Sequence, residues 1–187
     1  MDTSLYHDTF DLFCGYVKKK NAEILEIACG PGNVTRYLLN RRPDFKLLGT
    51  DLSPNMLELA RINNPEAEFR LLDGRKISEL DKKFDAILCG FGLPYLSKTE
   101  SVALIGDAAQ LLEPGGILYL STMEDAYEKS GPVQSSYGDT CYQYYHQADY
   151  LSETLEKQGF KILHLIRKQY PANGGGTTTD LVVIARR

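Results

Sequence analysis

The residue types that could do chemistry begin with a carboxylate, two glycines and a second carboxylate in order: Glu26, Gly30, Gly32 and Asp51. Residues 23–32, Glu-Ile-Leu-Glu-Ile-Ala-Cys-Gly-Pro-Gly, run an apolar strand into a two-glycine turn, and Asn33 opens a helix behind it. Glycine accepts positive φ and carries no Cβ, so backbone N–H groups and the helix N-terminus can approach a ligand closely there. A second apolar run, Phe45 to Leu48, leads through Gly49-Thr50 to Asp51, about 20 residues past the glycines, where an acid reaches ribose hydroxyls. Together these features predict a cradle for adenosine. A dinucleotide fingerprint would place a third glycine at position 35; this chain has Thr35 there and Pro31 in the turn, which disfavours a pyrophosphate.

The motifs continue in order: Leu71-Leu72-Asp73-Gly74, then Phe84-Asp85-Ala86-Ile87-Leu88, then Leu112-Glu113-Pro114-Gly115-Gly116. With Glu26-Ile-Ala-Cys-Gly-Pro-Gly and Asp51 before them, the series resembles that of the class I S-adenosylmethionine-dependent methyltransferases, strongly over residues 23–122 and weakly beyond. One departure is Ala28, which stands where the family has its first motif glycine; it is small enough for close approach and less permissive in φ.

The resemblance implies S-adenosylmethionine as cofactor and assigns roles to particular residues. Gly30 and Gly32, with Ala28, bring backbone to the methionine and ribose portions, and Glu26 orients the loop or meets the ammonium. Asp51 holds both ribose hydroxyls or, as the plainer alternative, caps the helix at Ser53. Asp73 accepts from the adenine amine, Gly74 and Arg75 offer backbone N–H, and Leu52 and Met56 flank the ring. Phe91, in Cys89-Gly90-Phe91-Gly92-Leu93-Pro94-Tyr95, falls where the family contacts the methionine part; Gly92-Leu93 stands in place of the polar residue that amine- and amide-methylating families set before Pro-Pro-Tyr, which disfavours that chemistry. Tyr6 and Tyr16 are candidates to close over the site, and Tyr6, Tyr95, Tyr142 and Tyr145 to face the substrate. His146 is the candidate general base, with Glu124 and Asp125 as alternatives and a wall residue as its plainer role.

The elements that must position these residues follow from periodicity. Apolar runs at 23–28, 45–50, 68–72, 84–89 and 116–121 alternate with helical segments, the pattern of βαβ units around a parallel sheet. Ser53-Pro54 starts one helix, and Ser97-Lys98-Thr99-Glu100 is a capping box opening another whose expected apolar face is Val102, Ile105, Ala109 and Leu112. From Phe160 the pattern changes to two strands, 160–167 and 177–185, joined without room for a crossover helix, so they pair antiparallel. The expected fold is α/β: a Rossmann-like, doubly wound seven-stranded sheet whose order, by the resemblance, is 3-2-1-4-5-7-6 with the last strand antiparallel. Outside that scaffold lie an aromatic N-terminal helix at 5–17 within residues 1–20, and a tyrosine-rich connection at 123–147 that reads as a substrate lid, including Tyr127, Tyr137, Tyr144 and the residues named above.

Composition bounds the rest. The 187 residues, 43% hydrophobic and 25% charged, predict one domain, and a net charge of −4 with short, scattered basic clusters excludes a nucleic-acid surface. Cys14, Cys29, Cys89 and Cys141 show no metal-ligand spacing, so no metal is expected, and they read as free thiols in a reducing compartment. With no apolar run of membrane-spanning length and no signal-peptide pattern, the expectation is a cytoplasmic monomer or homodimer acting on a small molecule. Two alternatives stand beside a methyltransferase: a non-catalytic module that binds S-adenosylmethionine or its demethylated product, and a nicotinamide-dependent reductase, disfavoured by Thr35.

Overall fold

The computed structural model describes residues 3–134, 140–171 and 176–187. Among the described residues, nine strands and five α-helices are arranged in chain order as α1 (His7–Tyr16), β1 (Glu23–Ile27), α2 (Asn33–Arg41), β2 (Lys46–Asp51), α3 (Pro54–Asn63), β3 (Glu68–Leu71), β4 (Phe84–Cys89), α4 (Lys98–Leu111), β5 (Leu112–Met123), β6 (Gly131–Gln134), β7 (Thr140–Gln143), α5 (Ala148–Lys157), β8 (Lys161–Pro171) and β9 (Thr177–Arg186). Seven of the strands form one sheet in the order β3-β2-β1-β4-β5-β9-β8, and β6 and β7 make a separate antiparallel hairpin. The pairs β1–β2, β1–β4, β2–β3 and β4–β5 are parallel; β9 runs antiparallel to both β5 and β8. With the small hairpin set aside, this is the order expected above.

The central strands are buried on both faces, as a parallel sheet covered by helices requires. Alternate residues of each strand feed opposite cores. Ile24, Ala86, Leu88, Tyr119 and Ile184 pack under α1 and α2, whereas Leu25, Ile87, Leu118, Val183 and Ala185 pack under α4 and α5. The N-terminal segment is docked tightly: Phe10 and Phe13 are fully buried against the Tyr119 ring, and the Thr9 hydroxyl bonds both Tyr6 O at 2.7 Å and Tyr119 Oη at 2.9 Å. Burying two phenylalanine side chains contributes about 3–6 kcal/mol by area.

Three boundaries differ from the sequence reading. The buried face of α4 is Ser101, Leu104, Ile105, Ala108, Ala109 and Leu111; Val102 is exposed, and Leu112 already belongs to β5. Two faces of that helix are apolar, which blurs a periodicity read from sequence. β5 starts earlier than expected, because Leu112 pairs with Phe84 across a register shift and Gly115 at φ +82° turns the chain back into the ladder. Between β3 and β4 there is a 3-10 segment, Gly74–Glu79, in place of a full crossover helix. Among the described residues no helix is long and apolar enough to cross a membrane. Tyr137 and the glycines at 174 and 175 lie outside the described residues.

Candidate active site

The carboxyl ends of β1, β2 and β4 converge on the glycine turn. Gly30 and Gly32 both have positive φ, yet they do different work. A Cβ added at Gly30 would meet nothing within 4 Å, so this glycine faces open space. A Cβ at Gly32 would collide with the Asn64 amide and press on Ala60 of α3. Gly32 is therefore the left-handed N-cap of α2 and a packing surface for α3, with Asn64 Nδ2 donating to Gly32 O at 3.0 Å. Of the two, only Gly30 has open space beside it.

Ala28 also lies in the left-handed region, at φ +55°. That conformation costs an L-residue about 1–2 kcal/mol, and it is held here because Cys29 N–H donates to Thr50 O at 2.9 Å just beyond the strand end.

Glu26 is 2% exposed and its Oε2 accepts the Thr35 hydroxyl at 2.6 Å. Burial pushes its pKa up to about 8, against the lowering effect of the Thr35 hydrogen bond, so the carboxyl is held largely protonated at neutral pH. Thr35 thus occupies the position of a dinucleotide glycine in order to clamp Glu26 beneath the turn, and Glu26 orients the loop from below.

Asp51 is the clasp of the site. Its Oδ2 accepts Gly30 N–H and its Oδ1 accepts Ser53 N–H, both at 2.8 Å, so one carboxylate fixes the glycine turn and starts α3 together. Each oxygen keeps a second lone pair. The helix-cap and ribose-holding roles are compatible in this geometry.

Beside Asp51, Leu52 is 61% and Met56 40% exposed, an apolar ledge at the mouth of the cleft. Asp73 closes the far side: the Arg75 guanidinium forks onto both its oxygens at 2.6–3.0 Å and holds its carboxyl below the usual range. Arg75 Nη1 also reaches Glu100 at 3.3 Å. Gly74 packs over Ile27, where a Cβ would stand 3.2 Å from Cγ2.

The turn after β4 borders a cavity. Phe91 has φ +64°, donates its N–H to Ser121 Oγ at 3.0 Å, and lies edge-on to Tyr6 at 4.7 Å. Gly92 fits because it has no Cβ; one would come within 3.0 Å of the Ala28 methyl. Behind Phe91 is a cavity of about 390 Å³ lined by Tyr6, Tyr95, Met123, Gln143, Tyr170 and Asp180 among others. A larger hollow lined by Lys83, Glu113, Pro114 and Arg187 lies at the other end of the sheet, where β5 begins, and touches none of these residues.

Tyr6 and Tyr95 therefore meet in one cavity, and Tyr16 does not: it pairs with His164 Nε2 at 2.8 Å. Tyr142 leans on Tyr144 at 4.6 Å between centroids and is exposed on the hairpin. Tyr145 is held by its N–H to Ser130 Oγ at 3.0 Å, outside the cavity lining.

The largest revision concerns His146. It is fully buried; Nε2 faces the Leu93 carbonyl at 2.9 Å and Nδ1 the Tyr150 hydroxyl. A carbonyl only accepts, so Nε2 carries the proton and Nδ1 accepts from Tyr150. Burial lowers its pKa, which fits a neutral ring. With both nitrogens engaged and no place in the cavity, His146 pins the Leu93–Tyr95 turn to α5 and is not positioned as a base. The two carboxylate alternatives are also engaged, Glu124 with Arg167 at 2.6 Å and Asp125 with Lys129 at 2.8 Å.

Asp180 and Tyr170 were not anticipated. They come from β9 and β8, and Tyr6 donates to Asp180 across 174 positions of sequence. Only the closing of the sheet brings them to the cavity.

An open Rossmann-like sheet with a glycine turn, a carboxylate at the end of its second strand and an apolar cavity beyond its fourth is the kind of scaffold that binds nucleoside cofactors. The family model described as "Methyltransferase domain" matches residues 24–116. Over 107 residues the chain is 36% identical to a trans-aconitate 2-methyltransferase of Variovorax paradoxus, covering 57% of this chain and 40% of that protein. The match therefore spans well under two thirds of that relative's length.

Among solved structures, an S-adenosylmethionine-dependent methyltransferase of Methanosarcina mazei superposes with a TM-score of 0.79 at 20% identity, covering 94% of this chain and 96% of that one. A 1,6-didemethyltoxoflavin-N1-methyltransferase of Burkholderia thailandensis, solved with its acceptor and S-adenosylhomocysteine, gives 0.72 at 21% identity, covering 100% and 79%. These likenesses carry the fold. Residues 24–116 thus match a methyltransferase domain, and the fold is that of solved S-adenosylmethionine-dependent methyltransferases, one of them holding S-adenosylhomocysteine.

Proposed function

We propose that the protein transfers a methyl group from S-adenosylmethionine to the oxygen or nitrogen of a small molecule. The observation that carries this reading is the placing of Gly30, Asp51 and Asp73 at the carboxyl ends of neighbouring strands, with an apolar cavity of about 390 Å³ lined in part by Phe91, Pro94 and Tyr95.

The residues present fit the cofactor. Gly30 gives backbone access, Asp51 has free lone pairs for a vicinal diol, Leu52 and Met56 supply an apolar ledge for a ring, and Asp73 supplies an acceptor at its far edge. When bound, the cofactor supplies a carbon already activated by positive sulfur. The protein's task is then alignment and exclusion of water. Phe91 and Tyr95 line the cavity, and His146 holds their turn in place through Leu93 O.

A small molecule is favoured as acceptor because the cavity, at about 390 Å³, is of the size that takes one. Trans-aconitate, named for the Variovorax relative, is also small. The described parts of this connection, 123–134 and 140–147, act here as a wall stitched to the core, through Tyr144 N–H to Pro94 O at 2.8 Å and His146 N–H to Met123 O at 3.0 Å. A non-catalytic binding module would have no need of the second cavity.

Calorimetric titration with S-adenosylhomocysteine tests the reading. The wild-type chain is expected to bind and Asp51→Ala to bind at least tenfold more weakly, the order expected for losing a charge-assisted hydrogen bond. Equal binding by the two proteins, or none by either, would overturn the assignment.

A further inference from the structure

The cavity behind Phe91 is apolar along most of its wall and acidic at one point. Asp180 is 2% exposed and stands opposite Met123 on β5 and Lys168 on β8. Tyr6 donates to its Oδ2, and Tyr170 donates to Oδ1 at a long 3.4 Å. A carboxylate accepts about four hydrogen bonds. Two hydroxyls, one of them distant, leave it short of donors.

No cation makes up the difference among the described residues. Lys168, its register neighbour, reaches Asp8 at 2.5 Å. Leu181, Val182 and Val183, which follow Asp180 on β9, are all buried and apolar. A buried charge without a cation is costly to keep, and the Tyr6 hydroxyl would be satisfied equally by a neutral acceptor. Burial pushes the pKa of Asp180 up, opposed by the Tyr6 and Tyr170 hydrogen bonds.

We propose that Asp180 is the polar anchor of the acceptor site: the cavity among Tyr6, Phe91, Tyr95, Met123 and Tyr170 takes a ring compound that presents an N–H or O–H donor, neutral or cationic, to the Asp180 carboxylate. This rests on the methyltransferase reading of the adjoining cleft. The aromatic walls supply the faces against which a ring stacks, and Asp180 supplies the one strong acceptor that orients it. The same charge rejects an acid, because a second carboxylate in this apolar space would meet like charge with little solvent to screen it.

Ligand-observed NMR titrations with benzylamine, 4-ethylphenol and phenylacetate, on protein with and without S-adenosylhomocysteine, test the proposal. On the wild-type chain benzylamine and 4-ethylphenol are expected to compete for one site, with phenylacetate at least tenfold weaker. Asp180→Asn keeps an oxygen for Tyr6 and is expected to lose at least tenfold in benzylamine affinity while narrowing the discrimination against phenylacetate.

Equal affinity for the three probes on the wild-type chain, or an Asp180→Asn protein that binds benzylamine as well as wild type, would overturn it. The wild-type series decides the matter even if the variant fails to fold. Failure of the methyltransferase reading shows separately, as absence of S-adenosylhomocysteine binding in the same samples.

Discussion

Single residues carry the glycine turn, and their roles divide by what surrounds them. Gly32→Ala must adopt φ +80° and push Asn64 away, so a loss of about 2–3 kcal/mol is expected. Gly30→Ala has open space and only the backbone cost of about 1–2 kcal/mol, and its larger effect should fall on cofactor affinity. Urea unfolding of both variants checks the order; equal losses would contradict the packing assigned to Gly32.

Glu26 gives a pH-dependent prediction. Its folded pKa of about 8 exceeds the ordinary 4.5, so between those values the folded chain binds more protons than the unfolded one. Its contribution to stability is thus fully present below about pH 4.5 and declines as pH rises toward about 8. Glu26→Gln, which can still accept from Thr35, should gain stability relative to wild type across that window, by a few kcal/mol at most. Parallel stability curves from pH 5 to 8 would contradict it. The residues of the turn were readable in the sequence because glycine and carboxylate have few substitutes at such positions. The separate duties of Gly30 and Gly32 were not, since they depend on where α3 packs.

At the scale of elements, the capping box and the buried histidine are the informative cases. Ser97 Oγ accepts Glu100 N–H at 3.3 Å while Glu100 Oε2 accepts Ser97 N–H at 2.7 Å, and the sequence showed this motif plainly because it is local. Ser97→Ala should cost about 1 kcal/mol, measured as a shift in the urea midpoint with unchanged slope. No shift would mean that α4 is held by packing alone.

His146 was readable as a candidate base or a wall residue at the end of a tyrosine-rich segment, but its partners were not: Leu93 O lies 53 positions away. His146→Ala takes the ring from the Tyr150 hydroxyl and leaves Leu93 O with the Leu96 N–H alone, so a loss of about 1–3 kcal/mol is expected. A protein of wild-type stability that has lost methyl transfer would instead restore His146 as a base.

For the molecule as a whole, the parallel βαβ pattern followed from alternating apolar runs and the antiparallel ending from a final pair of strands too closely linked for a helix between them, while the order of the strands came from the resemblance. The small β6–β7 hairpin escaped because its strands are four residues each and carry no strong alternation. Asp180 escaped for a different reason. On β9 it is one polar residue beside an apolar run, and only the antiparallel return of β9 along β5 sets it against Tyr6 at the sheet's carboxyl edge.

A crystal structure with S-adenosylhomocysteine bound tests the central claim most directly. The expected result is density for the nucleoside at the carboxyl ends of β1 and β2, ribose hydroxyls on Asp51, adenine between the Leu52–Met56 ledge and Asp73, and the sulfur facing the Phe91–Tyr95 turn. An empty cleft in saturated crystals, or the nucleoside bound elsewhere on the sheet, would contradict it.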